Sequence, residues 1–220
     1  MTSENSKHLI ANTISFVKKE LENAEGGHDW FHIERVYKNA LLISKTEKVD
    51  LFVVSLGALL HDIADAKFHN GDETIGPKIA RDFLISEGVS EEITEQIVAI
   101  IENVSFKGGN KQQTYFSNEL NVVQDADRLD AMGAIGIARC FNYGGFKNRK
   151  LYDSKVKPNL KMTPKEYKNS KAPTLNHFYE KLLLLKDKMN TKTGKKIAQN
   201  RHHYMEQFLK QFYKECDGKI

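Results

Sequence analysis

Cysteine is scarce in this chain of 220 residues: Cys140 and Cys216 are the only two. They make no C-x-x-C pair and are too few for a disulfide framework or a zinc ribbon, so a reducing, cytoplasmic setting is expected. Long apolar runs are missing too. The longest, Leu51 to Leu60, is about half of what a bilayer-spanning helix requires. Residues 1–20 carry charges throughout and hold no apolar block followed by a small-residue cleavage site, so no secretory leader is expected. No segment keeps up the strict apolar–polar alternation of a half-buried strand, and nothing repeats with a period of 20 to 50 residues. There is no G-x-S-x-G element, neither cysteine has a histidine nearby in sequence, and no glycine-rich segment has P-loop spacing. Membrane, secreted-scaffold, solenoid, serine-nucleophile and P-loop classes are thereby set aside.

What is present fits an ordinary globular protein: 25.1 kDa, 40% hydrophobic and 28% charged. One domain over 1–220 is expected, long enough to bury a core without staples. Wherever there is periodicity it is helical. Ile10, Ile14, Val17 and Leu21 share one face of a helix from about His8 to Ala24, which Gly26 and Gly27 end. A second helix starts at Trp30 behind Asp29 as N-cap and turns Ile33, Val36, Ala40 and Ile43 inward. The third, Asp50 to Lys67, is apolar almost all round at its start, the mark of a central helix. Further helices are expected over 73–87, ending at Gly88; from Ser90 to Val104; from Leu120 through Ala131 toward Phe141; and over 174–188 and 191–216, packed on the core. The single Trp30 reads as a packing residue, and the last helix, with Ile197, His202, Met205, Phe208 and Phe212, as core. The fold class is all-α, a helical bundle.

The formal charge of +4 is unevenly spread. Between Phe146 and Lys171, nine basic residues face only Asp153 and Glu166, so the rest of the chain is slightly acidic. That is no whole-surface nucleic-acid footprint. With Pro158 and Pro164 inside it, Pro173 just beyond and no apolar periodicity, 146–171 reads as a long basic loop, either solvated or an anion-attracting flap.

Three segments concentrate metal-binding groups: His28-Asp29-Trp30-Phe31-His32 at the second helix, His61-Asp62-Ile63-Ala64-Asp65 after the apolar run, and Asp125-Ala126-Asp127-Arg128-Leu129-Asp130. At the end of a buried helix an imidazole and a carboxylate are poorly solvated, and buried charges are costly unless paired or metal-bound. On a helix His61 and Asp62 point about 100° apart, so both reach one ion only if it lies between their faces. Asp65, one turn on, would then be a partner of the ligands or a water-activating base.

Taken together the segments resemble the HD-domain superfamily of metal-dependent phosphohydrolases, whose signature is a His, a His-Asp pair and a distant Asp. The matching residues are His32, His61-Asp62 and Asp127; the resemblance spans roughly Asn12 to Phe141, and more weakly Asn176 to Lys181 and Arg201-His202. It is nearest the small bacterial branch that acts on nucleotides. It implies one divalent ion held by those four side chains. Mixed nitrogen and oxygen donors suit manganese, the expected ion, or iron, cobalt, nickel or zinc, better than magnesium. Such an ion acidifies a bound water and polarises a phosphoryl group. Asp125 and Asp127 lie about 200° apart on a helix, so only one faces the ion; the family order, Asp before a basic and then an apolar residue, selects Asp127.

The resemblance also makes Asp65 a general acid or water orienter, three positions after the His-Asp pair. Arg128 is a candidate for the substrate phosphate, with a salt bridge to Asp125 or Asp130 as the alternative. Lys67 is a second candidate, with an exposed helix-end lysine as its alternative, and Lys107, in Ser105-Phe106-Lys107-Gly108-Gly109, a third. His28 and His69 fall outside the four-residue pattern and read as surface groups or partners of the ligands; His202 and His203 read as packing or solvent groups. The activity implied is hydrolysis of a nucleotide, a (deoxy)nucleoside triphosphate to monophosphate and pyrophosphate. Alternatives are a nucleoside monophosphate phosphatase, a cyclic or alarmone nucleotide hydrolase, and a nucleotide-binding regulator without turnover. The expected partner is a phosphorylated small molecule, with a homodimer possible and neither membrane nor nucleic acid.

Overall fold

The computed structural model of the protein describes residues 3–22, 24, 28–64, 72, 74–104, 113–163, 166 and 169–219. Among these every regular element is a helix, as the periodicity requires. Two compact units divide the chain between Asp127 and Arg128.

In the first unit α1 (Ser3–Glu20), α2 (Trp30–Ser44), α3 (Leu51–Leu60), α4 (Ile75–Ser86) and α5 (Glu91–Val104) follow in order, and α6 (Asn118–Asp130) belongs to it as far as Asp127. α3 is the centre, packed against α1, α2 and α5. Its apolar sequence leaves it nowhere else to go, and Val54, Leu56, Ala58, Leu59 and Leu60 are fully buried. The close approach of its neighbours depends on Gly57, where a methyl group would sit 3.3 Å from Ile100 Cγ2 and 3.5 Å from Val123 Cγ2. Asp50 caps α3 by accepting from the backbone N–H groups of Phe52 and Val53 at 2.8 and 3.4 Å. The inward face expected for α2 is the one observed: Ile33, Val36, Ala40 and Ile43 are all fully buried. On α1 the buried positions are Leu9, Thr13 and Val17, with Leu21 just beyond the helix, so Ile10 and Ile14 sit half-buried beside the face rather than on it.

The second unit contains α7 (Gly133–Phe146), the short α8 (Asn176–Glu180), a 3₁₀ helix (Leu182–Lys188) and the long α9 (Lys192–Cys216). Phe141, Phe178, Phe208 and Phe212 form its aromatic cluster, with ring centroids 5.8–6.4 Å apart.

Three helix ends differ from expectation. α3 stops at Leu60 instead of Lys67, so His61 and Asp62 follow the helix rather than lie on it. The helix expected from Leu120 toward Phe141 is two, because α6 tightens through i→i+3 bonds to Arg128 and Leu129, Met132 is extended, and Gly133 takes φ +68°. The helix expected over 174–188 breaks at Lys181, φ −145°, into α8 and the 3₁₀ turn. Of the loop expected over 146–171, residues 147–163 carry no helix, whereas Phe146 ends α7 and Glu166 and Asn169 are helical; the stretch is tied down by the backbone N–H groups of Thr174 and Leu175, which donate to the Lys150 and Leu151 carbonyls at 2.9 and 3.0 Å, and by Asn176 Nδ2, which donates to the Val156 carbonyl at 3.2 Å.

Candidate metal centre

Each of three side chains reaches the site for a local reason. Asp29 precedes α2 in an extended conformation and accepts from the His32 backbone N–H at 3.0 Å, fixing where the first turn begins. His32 lies one turn before Val36 on the inward face and is 2% exposed. His61 caps the C-terminus of α3: its Nδ1 lies 2.9 Å from the Ala58 carbonyl, an acceptor that a longer helix would offer to the Asp62 N–H. That contact explains the early end of α3 and also sets the tautomer. A carbonyl can only accept, so Nδ1 carries the proton and Nε2 presents its lone pair. On α6, Gln124 Nε2 donates to the Asn103 carbonyl at 2.8 Å, which orients the helix within the unit. Asp125 is fully buried, and Asp127, partly exposed, is the carboxylate that meets the imidazoles.

Asp127 Oδ1 is 3.6 Å from His32 Nε2 and 3.8 Å from His61 Nε2, and one donor atom from each of the three lies within 4.8 Å of the others. The His32 and His61 rings meet edge-on, centroids 5.3 Å apart. Asp62 joins from the turn after α3, its Oδ2 3.9 Å from His32 Nε2. These separations are too long for hydrogen bonds. They suit donors that share an ion with bonds of about 2.0–2.2 Å, for which two ligands stand at most about 4.4 Å apart. Two neutral imidazoles and carboxylate oxygen form the donor set that first-row transition ions favour, so His32, His61 and Asp127 can hold a divalent ion.

Asp62 has a further partner, His28, whose Nδ1 lies 2.5 Å from Asp62 Oδ2. Of the two readings the sequence allows for His28, a surface group or a partner of the ligands, the structure shows the second. The one signal available was its spacing of four from His32. Burial alone would raise the Asp62 pKa, but the His28 hydrogen bond and the charges of His28, His61 and His32 outweigh it and hold the carboxyl below its usual range. For His61, burial pulls the pKa down, while the neighbouring carboxylates of Asp127 and Asp62 leave it raised.

Other expected residues fare differently. Arg128 Nη1 donates to the Lys188 carbonyl at 2.6 Å, and Asp130 receives Arg139 Nη1 at 2.6 Å. Asp65, Lys67, Lys107 and His69 lie outside the described residues. Trp30 carries Lys18 Nζ over its ring at 4.8 Å, and His202 is buried in α9 with its Nε2 3.2 Å from Glu206.

The HD domain family matches residues 30–132, which include His32, His61, Asp62 and Asp127. The crystal structure of an HD-superfamily hydrolase from Bacillus thuringiensis shares 45% identity and a TM-score of 0.77, covering 97% of this chain and 100% of that one. The chain belongs to the HD superfamily of hydrolases. The all-α architecture is the family's. A relative outside that crystal structure is the uncharacterized protein YpgQ of Bacillus subtilis, 37% identical over 207 residues, which are 93% of this chain and 92% of YpgQ. The crystal structure of YpgQ in complex with ADP superposes with a TM-score of 0.75 at 34% identity, covering 96% of each chain. Among the described residues, no helix of this HD protein is long and apolar enough to cross a membrane.

Proposed function

We propose that this HD protein is a metal-dependent phosphohydrolase acting on nucleotides, cutting a nucleoside or deoxynucleoside triphosphate to monophosphate and pyrophosphate, with manganese as the ion. The observation that carries the reading is the convergence of His32, His61 and Asp127 from α2, α3 and α6. The ADP complex of YpgQ supports a nucleotide as the ligand. His32, His61, Asp62 and Asp127 would hold the ion, which when bound supplies Lewis-acid activation of water and of a phosphoryl oxygen. Asp65 accepts the proton of the attacking water, and Arg128, Lys67 and Lys107 bind the phosphates. A cytoplasmic setting fits the two free thiols, Cys140 and Cys216.

The test is product analysis on a panel of nucleoside mono-, di- and triphosphates and cyclic nucleotides with added manganese. Pyrophosphate with monophosphate from triphosphates is expected. Orthophosphate from monophosphates would replace the reading with a phosphatase, and tight nucleotide binding without any product would replace it with a regulator.

A further inference from the structure

Nothing in the four-residue HD signature uses His28, and the HD-domain match begins two residues after it, at Trp30. Yet its contact with Asp62, 2.5 Å from Nδ1 to Oδ2, is shorter than those of His32 with Asp62 and Asp127 and of His61 with Asp127 and the Ala58 carbonyl. The partners are 34 residues apart, and both are only partly exposed, 26% and 20%. We infer that His28 is a positioning residue: it fixes the rotamer of the Asp62 carboxylate and thereby sets the affinity of the centre for its divalent ion. The inference rests on the metal-centre reading above.

The geometry supports this in three steps. A free aspartate turns about χ1 and χ2, and a rotation of either carries its oxygens out of reach of a shared ion. The oxygen that His28 holds is the one nearest His32 Nε2, at 3.9 Å, so a single contact decides which carboxylate oxygen faces the imidazoles. His28 is itself held. It directly precedes Asp29, whose side chain caps α2 through the His32 N–H at 3.0 Å, and its ring meets the His32 ring edge-on at 5.9 Å. The N-terminus of α2 thus delivers two imidazoles four residues apart, one toward the ion and one toward the carboxylate beside it. Hydrogen-bond partners that orient metal ligands typically account for about 10–100-fold in metal affinity.

The experiment is manganese binding by calorimetry on the full-length protein without substrate, with circular dichroism and Tm recorded for each variant. His28→Ala should raise the manganese Kd about 10–100-fold. His28→Asn, whose amide nitrogen can stand near the position of Nδ1, should recover much of that loss. In an Asp62→Asn background His28→Ala should add nothing, an outcome that general damage to the fold would not give. Wild-type affinity in His28→Ala, or equal and additive losses in both backgrounds, overturns the inference while leaving the metal centre standing. Failure of the wild-type protein to bind manganese or any other divalent transition ion overturns the metal-centre reading, and this inference with it.

Discussion

Asp125 and Asp127 share a helix, two residues apart, and differ in every respect that matters for chemistry. Asp125 is sealed inside the first unit, whereas Asp127 meets two imidazoles within 4 Å and keeps 30% of its side chain exposed, enough to leave an approach for a ligand. Asp127→Ala should therefore abolish bound metal and turnover together, as should Asp62→Ala. Asp65→Asn should retain the metal and lose about 100-fold or more in kcat, the usual size of a general acid–base contribution. Elemental analysis alongside steady-state kinetics checks both; a metal-replete, active Asp127→Ala enzyme would place the site elsewhere. At this scale the sequence was informative because helix geometry forbids both aspartates from facing one ion, and the family order decided between them. For His28 the sequence left two readings open, surface group or partner of the ligands, and for a physical reason could not choose. Its partner lies across the unit, and nothing local distinguishes an imidazole before a cap that will touch a carboxylate from one that will touch water.

Helices whose ends are set by local chemistry could be read, and those ended by tertiary contacts could not. Asp29 caps α2 as expected, Asp50 caps α3 at the point where the sequence began that helix, and Gly88, at φ +74°, ends the chain's turn after α4 where the sequence put it. The early end of α3 depends on a side chain taking a backbone carbonyl, and the break between α6 and α7 on a glycine inside an otherwise helical pattern. At that break Gly133 adopts a left-handed conformation and lies against Arg201, where an added methyl group would come within 3.1 Å of Cγ. Three residues on, a methyl group at Gly136 would collide with the Ala131 carbonyl, which cannot yield as a flexible side chain can. Gly133→Ala should lower stability by about 1–2 kcal/mol through the backbone alone, and Gly136→Ala by more. Thermal or urea unfolding decides the order, and a neutral Gly133→Ala would show that the break tolerates a β-carbon.

For the molecule as a whole, two imidazoles give stability opposite dependences on pH. Burial pushes the His177 pKa down, reinforced by the charges of Lys181 and Arg149, to about 3. The same two cations face the buried Cys140 thiol, whose pKa burial pushes up to about 12. Between the ordinary histidine value of about 6.5 and about 3, the unfolded chain takes a proton at residue 177 that the folded chain refuses. Protonation then favours unfolding, so stability falls as pH drops through that window, by at most about 1.4 kcal/mol per pH unit. His61 acts in reverse. With its pKa raised beside Asp127 and Asp62, the metal-free protein gains stability below the ordinary value and loses it as pH rises through the folded one. Asp62, held below its usual range, loses its contribution mainly below about pH 5, where the unfolded carboxyl begins to take a proton, so between pH 7 and pH 5 the imidazoles weigh most. Urea unfolding with chelator present should show His177→Gln losing less stability between pH 7 and pH 5 than the wild-type protein does. An identical loss in both would mean that His177 takes its proton in the folded state as readily as in the unfolded chain, and that neither burial nor the Arg149 and Lys181 charges govern it.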